Sequence, residues 1–297
     1  MDKTIRTVAV LMGGFSAERE VSLRSGAAVA EGLREAGYEV VDVDVRDRDW
    51  VMPEGVKHAF IALHGTYGED GEIQARLEDL GVTYTGAGPE ASRVAFDKLL
   101  SKARFVESGV SSPEYAVIRK GDGCPFDLPV VVKPPCQGSS IGLYIVETEA
   151  DWERCDAEVW QYGDEQLVEQ FVEGRELTVG IVGDQVLPVI EIVPESGRYD
   201  YESKYTAGRT DYQVPARLSE SQTLECQHLA RKAYDELGCR GMGRVDILLG
   251  NNSRFYVLEV NTLPGFTATS LLPKAAAAAG MNFSELCDRI LRISTLT

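Results

Sequence analysis

Apolar positions near the start of the chain fall in short runs separated by stretches of helical spacing. Thr7-Val-Ala-Val-Leu-Met12 is continuously apolar, as a strand buried on both faces of a parallel sheet is. A helical stretch follows Gly13-Gly14 and runs up to Gly37, a residue suited to the position just past a helix end. Tyr38 to Val45 alternates apolar and acidic residues, Ala59 to Leu63 is a third strand, Ile73 to Leu80 a short helix, and Val82 to Thr85 a fourth strand. Strands separated by helices predict a parallel α/β sheet with ligands at the carboxyl ends of its strands. Gly13-Gly14 and His64-Gly65 occupy such ends.

From Lys98 the pattern changes. Val130 to Lys133, Gln166 to Val172, Leu177 to Val182 and Val186 to Val193 read as strands, and Gln137-Gly-Ser-Ser-Ile-Gly142 as a loop. A long helix is predicted from Glu220 to Leu237, ended by Gly238. Ala275 to Ala279 is predicted to run on into a C-terminal helix through Leu286 and Ile290. There is no internal repeat and no low-complexity linker.

Between the last helices lie two β-rich runs, Arg244-Val-Asp-Ile-Leu-Leu249 and Phe255-Tyr-Val-Leu-Glu-Val-Asn261, joined by Gly250-Asn-Asn-Ser253. They predict a hairpin. With Asn251-Asn252 at the tip, Asp246 pairs with Val257 and Arg244 with Glu259. Residues two apart share a face. Arg244, Asp246, Glu259 and Asn261 then project to one side, with Val245, Ile247, Tyr256, Leu258 and Val260 as core on the other. Two carboxylates and an amide suit Mg²⁺, which prefers oxygen ligands and shares phosphate oxygens. An Arg–Glu cross-strand pair is the plainer alternative.

The length of 297 residues and 44% hydrophobic content allow about two domains with a sizeable core. A net charge of −17 argues against nucleic acid, which needs a basic face. Neither a signal-peptide core nor a membrane-length apolar run is present, so a cytoplasmic location and no membrane contact are expected. The six cysteines form no C-x-x-C pair and are expected to be free thiols, and the three histidines lack zinc spacing.

Other candidate residues are individually weaker. The small residues of 137–142 allow backbone N–H groups to approach phosphates, although such loops are also plain turns. Lys133, on the preceding strand, would carry its ammonium to the same place. Lys98 lies on a helix, where lysines are usually solvated. Glu169 and Glu176 flank Gln170-Phe171-Val172; backbone there could read an adenine edge and a carboxylate could accept ribose hydroxyls. The alternative is an ordinary edge strand.

Taken in order, these motifs resemble those of the ATP-grasp ligases, and within them the D-alanine–D-alanine ligase family. The matching segments are Gly13-Gly-Phe-Ser-Ala-Glu-Arg-Glu-Val-Ser22, Ala62-Leu-His-Gly65 with Gly68-Glu-Asp-Gly71, and Lys133-Pro134 with Gly138-Ser-Ser-Ile-Gly142. Tyr199-Asp-Tyr-Glu-Ser-Lys-Tyr205, Gly243-Arg-Val-Asp246 and Leu258-Glu-Val-Asn-Thr-Leu-Pro-Gly265 complete the set, which spans nearly the whole chain.

The resemblance implies an N-terminal parallel α/β, Rossmann-like domain (1–97) and two mixed α+β domains (98–176 and 177–297) clasping ATP. It implies a first D-alanine phosphorylated on its carboxylate and a second attacking through its amine, for peptidoglycan precursors. Lys98, Lys133, Gly138, Ser140, Glu169, Gln170, Phe171, Val172 and Glu176 would bind ATP. Asp246, Glu259 and Asn261 would hold Mg²⁺, two ions being expected, with Mn²⁺ as a substitute. Glu18 would take the first D-alanine's ammonium, although Ser16 and Glu18 also suit a helix start. Arg244 and the Gly265 N–H would face the oxyanion, Pro264-Gly265 being also a turn. His64 would lie near the first substrate, unless structural. Ser270 and Leu271 would receive the second, unless Ser270 only caps a helix.

Lys204 and Tyr205 would belong to a lid that excludes water, with Tyr205 bonded to Ser139 and Ser139 linked to Glu18. The same stretch could also be a packed surface loop or a dimer contact. The Lys-Tyr pair resembles the dipeptide-forming type rather than enzymes using D-lactate or D-serine, and the family suggests a homodimer. An inactive nucleotide sensor on this fold is the rival of another class. Cys136 would make the loop oxidation-sensitive if it were an exposed thiolate.

Overall fold

A computed structural model describes residues 5–138, 141–194 and 210–294. Three sheets carry the architecture. The first is a parallel sheet in the order β2-β1-β3-β4, built from Thr7–Gly13 (β1), Glu39–Val45 (β2), His58–Ile61 (β3) and Thr83–Tyr84 (β4). The apolar run of β1 occupies the middle of that sheet, and Val8, Ala9, Val10 and Leu11 are fully buried. Helices Arg19–Glu35 (α1) and Glu72–Asp79 (α2) follow β1 and β3. The expected alternation of strand and helix is therefore present, with β4 reduced to two residues.

Pro89–Phe96 (α3) and Lys98–Ser108 (α4) lead into the second sheet. Asp97 starts α4 because its carboxylate accepts the Leu99 and Leu100 N–H groups. Tyr115–Arg119 (β5), Val130–Lys133 (β6), Tyr144–Val146 (β7) and Glu165–Gln170 (β8) form an antiparallel sheet in the order β5-β8-β6-β7, with Glu149–Glu158 (α5) packed near it.

The third sheet has the order β12-β11-β9-β13-β14, with Gln185–Val186 (β10) beside β9. Its strands are Gly174–Val182 (β9), Ile190–Pro194 (β11), Thr210–Gln213 (β12), Met242–Gly250 (β13) and Phe255–Asn261 (β14). β13 pairs continuously with β9 from Met242 to Gly250. Glu220–Glu236 (α6), started by a Ser219–Gln222 capping box, covers one face.

The hairpin register differs from expectation. Asp246 lies opposite Glu259, not Val257, and Arg244 opposite Asn261. A β-bulge follows, after which Ile247 pairs with Val257. Leu258 is the extra residue, so β14 turns Leu258 and Glu259 to the same side, and both line one cavity. Phe255, Val257 and Val260 are the core positions, in place of the expected Tyr256 and Leu258. Strict alternation failed because the bulge inserts a single unpaired position that alternation cannot represent.

The C-terminal stretch is two helices, Leu271–Ala278 (α7) and Phe283–Arg292 (α8), not one. Gly280 takes φ +82° between them, and Asn282 restarts the helix in a capping box with Glu285. This break turns α8 onto α1 of the first sheet. Tyr38 donates to Asp288 at 2.5 Å and Ser284 to the Gly32 carbonyl at 2.8 Å. Leu286, Ile290 and Leu291 join the core of the parallel sheet with Val29 and Leu33. Ile290→Ala is therefore expected to destabilise the protein by about 2–5 kcal/mol, read from the denaturant midpoint, by opening a cavity at this junction.

Candidate active site

Two cavities meet between the sheets. The larger, about 350 Å³, lies at the carboxyl end of the parallel sheet. Glu18, His64, Lys98, Gly138, Arg244, Glu259, Asn261, Gly265, Ser270 and Leu271 all line it. The smaller, about 130 Å³, lies between the second and third sheets and is lined by Lys98, Lys133, Glu176, Asp246 and Glu259 among others. Lys98, Gln137 and Glu259 line both cavities.

Lys98 sits at this junction because the start of α4 is docked on the loop after β6. Its N–H donates to the Pro135 carbonyl at 3.0 Å, and its ammonium donates to the Gln137 carbonyl at 2.7 Å. Glu259 Oε2 is 3.7 Å from the same ammonium. Burial pulls the Lys98 pKa below its ordinary value, and Glu259 opposes that fall. This lysine is thus not the solvated surface residue that its helical context allows.

Lys133 is 7% exposed and points from β6 to Glu169, 2.7 Å away. Glu169 is only 2% exposed, and its other oxygen meets the ammonium of Lys102. The Glu169 carboxylate, expected to face the nucleotide, is turned to two lysines, whereas Glu176 lines the cleft. The backbone of the next residues is partly committed too. Gln170 N–H donates to the Glu114 carbonyl at 2.9 Å and Phe171 N–H to the Pro129 carbonyl at 3.3 Å. Part of the wall of the smaller cavity is apolar, including Ile141, Leu143, Ile192 and Leu258, an arrangement suited to a flat ring. Neither Lys102 nor these walls was singled out in the sequence. Lys102 follows Lys98 by one helical turn, and that spacing was the available signal.

At the hairpin, Arg244 grips Asp246 with two hydrogen bonds of 2.8 and 2.7 Å. Thr178 donates to the same carboxylate at 2.6 Å. Arg244 is thus directed at Asp246 as well as lining the larger cavity. Asn261 Oδ1 accepts the Leu263 N–H at 3.1 Å, which orients the amide and leaves that oxygen a second lone pair. No group of three His, Cys, Asp or Glu residues suited to a metal occurs among the described residues. The donor set offered is Asp246 opposite Glu259 with Asn261 beside them. Its all-oxygen chemistry fits a hard divalent cation, which would compete with Arg244 for Asp246.

The first-substrate end is built from α1 and the loop after β3. Ser16 is not the helix cap; its hydroxyl donates to the His64 carbonyl at 2.8 Å, and Glu18 takes the N-cap position without a side-chain cap. The Glu18 carboxylate sits where a side chain on Gly65 would collide, 2.7 Å from a Cβ built there, and Gly65 has φ +69°. A Cβ on Gly138 would lie 3.3 Å from the same oxygen.

His64 is 5% exposed and Nδ1 donates to the Leu263 carbonyl at 3.2 Å. Nε2 therefore accepts from the Ser25 hydroxyl, 3.0 Å away, and Ser25 Oγ accepts the Phe266 N–H at 3.3 Å. His64 and Ser25 thus hold the loop that carries Gly265. Glu69, which accepts the Gly65 N–H at 3.2 Å, also lines this cavity. Ser270 is at the N-cap of α7 but makes no side-chain cap bond; its Oγ accepts the Thr267 N–H at 3.0 Å.

Ser139, Ser140, Lys204 and Tyr205 lie outside the described residues, as does the whole Tyr199–Tyr205 segment. No helix among the described residues is long and apolar enough to cross a membrane. The six cysteines are free. Cys136 is exposed at the surface, yet desolvation by neighbouring atoms, with Asp97, pushes its thiol up to about 11. This removes the basis for an oxidation-sensitive loop.

The fold and site define an ATP-grasp enzyme, with a parallel α/β unit beside a clasp made by two antiparallel sheets. Residues 111–292 match the model for the D-ala D-ala ligase C-terminus, and residues 7–60 that for the N-terminus. A D-alanine--D-alanine ligase of Desulforudis audaxviator is 48% identical, over 98% of this chain and 99% of the relative. The D-alanine--D-alanine ligase from Bacillus anthracis complexed with ATP is similar in structure, with a TM-score of 0.82, 30% identity and 97% of each chain covered. The VanG D-Ala:D-Ser ligase from Enterococcus faecalis has a TM-score of 0.84 at 26% identity, over 98% of this chain and 99% of that one. The chain belongs to the D-alanine–D-alanine ligase family, whose members are ATP-dependent ligases.

Two predictions follow from this geometry. Ser25→Ala should lower kcat about tenfold with little change in KM for ATP, since it frees the Phe266 N–H without touching the smaller cavity. With its thiol near 11 instead of 9, Cys136 should react with iodoacetamide at pH 8 about a hundredfold more slowly than free cysteine, measured by mass spectrometry.

Proposed function

We infer that this protein joins two D-alanines at the expense of ATP, giving D-alanyl-D-alanine, ADP and phosphate for peptidoglycan precursor synthesis. The observation that carries the reading is the meeting of the two cavities at Lys98, Gln137 and Glu259. A nucleotide in the smaller cavity would direct its terminal phosphate to the place where the amino-acid cavity begins. In the first step a carboxylate oxygen of one D-alanine attacks the γ-phosphorus, and the bond to the β–γ bridging oxygen breaks to release ADP. In the second, the deprotonated amine of the other D-alanine attacks the acyl carbon. The C–N bond forms and phosphate leaves with the oxygen that came from the carboxylate.

Each residue has a role suited to its surroundings. Lys98 and Lys133 face developing phosphate charge, which positioned cations stabilise. Glu176 lines the smaller cavity and suits the ribose hydroxyls, and the Val172 N–H suits the adenine edge. Glu18 receives the ammonium of the first D-alanine. The Gly265 N–H, held in place through Ser25 and His64, faces the oxyanion with Arg244. Ser270 and Leu271 receive the second substrate. Asp246, Glu259 and Asn261 would hold Mg²⁺ or Mn²⁺, which neutralises phosphate charge when bound. A Lys204–Tyr205 lid, a homodimer and a cytoplasmic location complete the reading.

The test is ADP release from MgATP with D-alanine alone, then with D-lactate or D-serine added, and product identification by mass. D-Alanyl-D-alanine is expected to dominate. A dominant mixed product would retain the chemistry and overturn the acceptor assignment, and no D-alanine-dependent ADP would overturn the function. Glu259→Ala should lose about two orders of magnitude of turnover at limiting Mg²⁺, the scale of removing a group that stabilises transition-state charge. Near-normal turnover would remove Glu259 from the metal site.

A further inference from the structure

Behind Lys133, in the lining of the smaller cavity, lie two further buried charges, Glu169 and Lys102, that line neither cavity. Lys133 lines the cavity, Glu169 stands behind Lys133, and Lys102 behind Glu169. Lys102 is 1% exposed. Its ammonium meets one Glu169 oxygen and lies 3.5 Å from the Pro113 carbonyl and 5.9 Å from the centre of the Tyr115 ring. Lys133 meets the other Glu169 oxygen. No solvent reaches Lys102 to compensate its charge, so an ammonium there requires a reason.

The reason lies in the count of charges. A buried Lys133–Glu169 pair alone is neutral, and a neutral pair attracts a polyphosphate weakly. A second ammonium on the far side of the carboxylate makes the group net positive and shares the charge of Glu169 with Lys133. We propose that Lys102 is a positioning residue of the nucleotide site, taking up the charge of Glu169 so that the Lys133 ammonium is available to the phosphates of ATP. The inference rests on the nucleotide reading of the smaller cavity.

The titratable groups facing Lys102 are Glu169 on β8, Lys133 on β6 behind it and Tyr115 on β5, with Lys98 one turn earlier on its own helix. Burial pulls its pKa down to about 8, with Glu169 opposing and Lys133 adding to the fall. Glu169 itself stays below the ordinary carboxylate range, because the two ammoniums outweigh its burial. As pH rises through about 8 Lys102 loses its proton, Glu169 binds Lys133 alone, and nucleotide affinity falls.

The test is calorimetric binding of MgADP to the full-length protein, which requires no turnover. Lys102→Met should weaken binding at least about tenfold, the order expected when a charged partner is lost. Lys102→Met combined with Glu169→Gln should bind within about threefold of wild type, because the unbalanced carboxylate is removed together with the lysine. The wild-type Kd should rise between about pH 7 and pH 9, and in Lys102→Arg that rise should vanish, since a guanidinium does not titrate there. Unchanged affinity in Lys102→Met, or a double variant no better than the single, would overturn the role. If Lys102→Met does not fold, Lys102→Gln replaces it in the same binding measurement, and unchanged affinity there overturns the role. Wild type that binds no MgADP would instead overturn the nucleotide reading itself.

Discussion

The site depends on the burial of one ammonium, that of Lys98. A lysine taken out of water loses several kcal/mol of hydration unless oxygen atoms replace it. Here the replacements come from separate parts of the chain: the Gln137 carbonyl after β6 and the Glu259 carboxylate on β14. The start of α4 is tied to the same loop through the Pro135 carbonyl. These contacts join the second and third sheets beside the smaller cavity, which Lys98 and Glu259 both line.

Much of this was legible in the chain. The apolar run of β1 has no exposed face, so it could only be an interior strand. Arg244, Asp246, Glu259 and Asn261 could be placed together because a hairpin alternates and the turn residues mark its tip. What escaped was information that one-dimensional patterns do not hold. The bulge at Leu258 adds one residue to β14, which exchanges core and cleft positions on one half of the strand only. Lys102 reads as a solvated helix face, and only the packing of α4 against β8 reveals an interior ammonium. The break at Gly280 was legible in hindsight, since Asn282 and Glu285 have capping-box spacing; a continuous alanine run concealed it.

His64 shows a different limit. Its place at a strand end suggested contact with substrate, and it does line the cavity. Both ring nitrogens, however, are engaged with Ser25 and Leu263, so its measurable geometry concerns the loop around Gly265. The N-terminal sheet thus reaches the chemistry partly by supporting a loop of the third sheet. The docking of α8 on α1 strengthens the same connection from the opposite side.

The bulge has an implication for how this hairpin can vary. β13 is held in register by continuous pairing with β9, so it acts as a ruler, and β14 must adapt to it. An insertion at the Asn251–Asn252 tip lengthens a solvent loop and leaves the ruler untouched. A deletion at Leu258 would restore regular pairing and leave Glu259 opposite Asp246. What it would remove is the residue of β14 that lines the smaller cavity beside Glu259. Length changes at the hairpin tip should therefore leave the cavity untouched, whereas the bulge gives up regular pairing to add one wall residue.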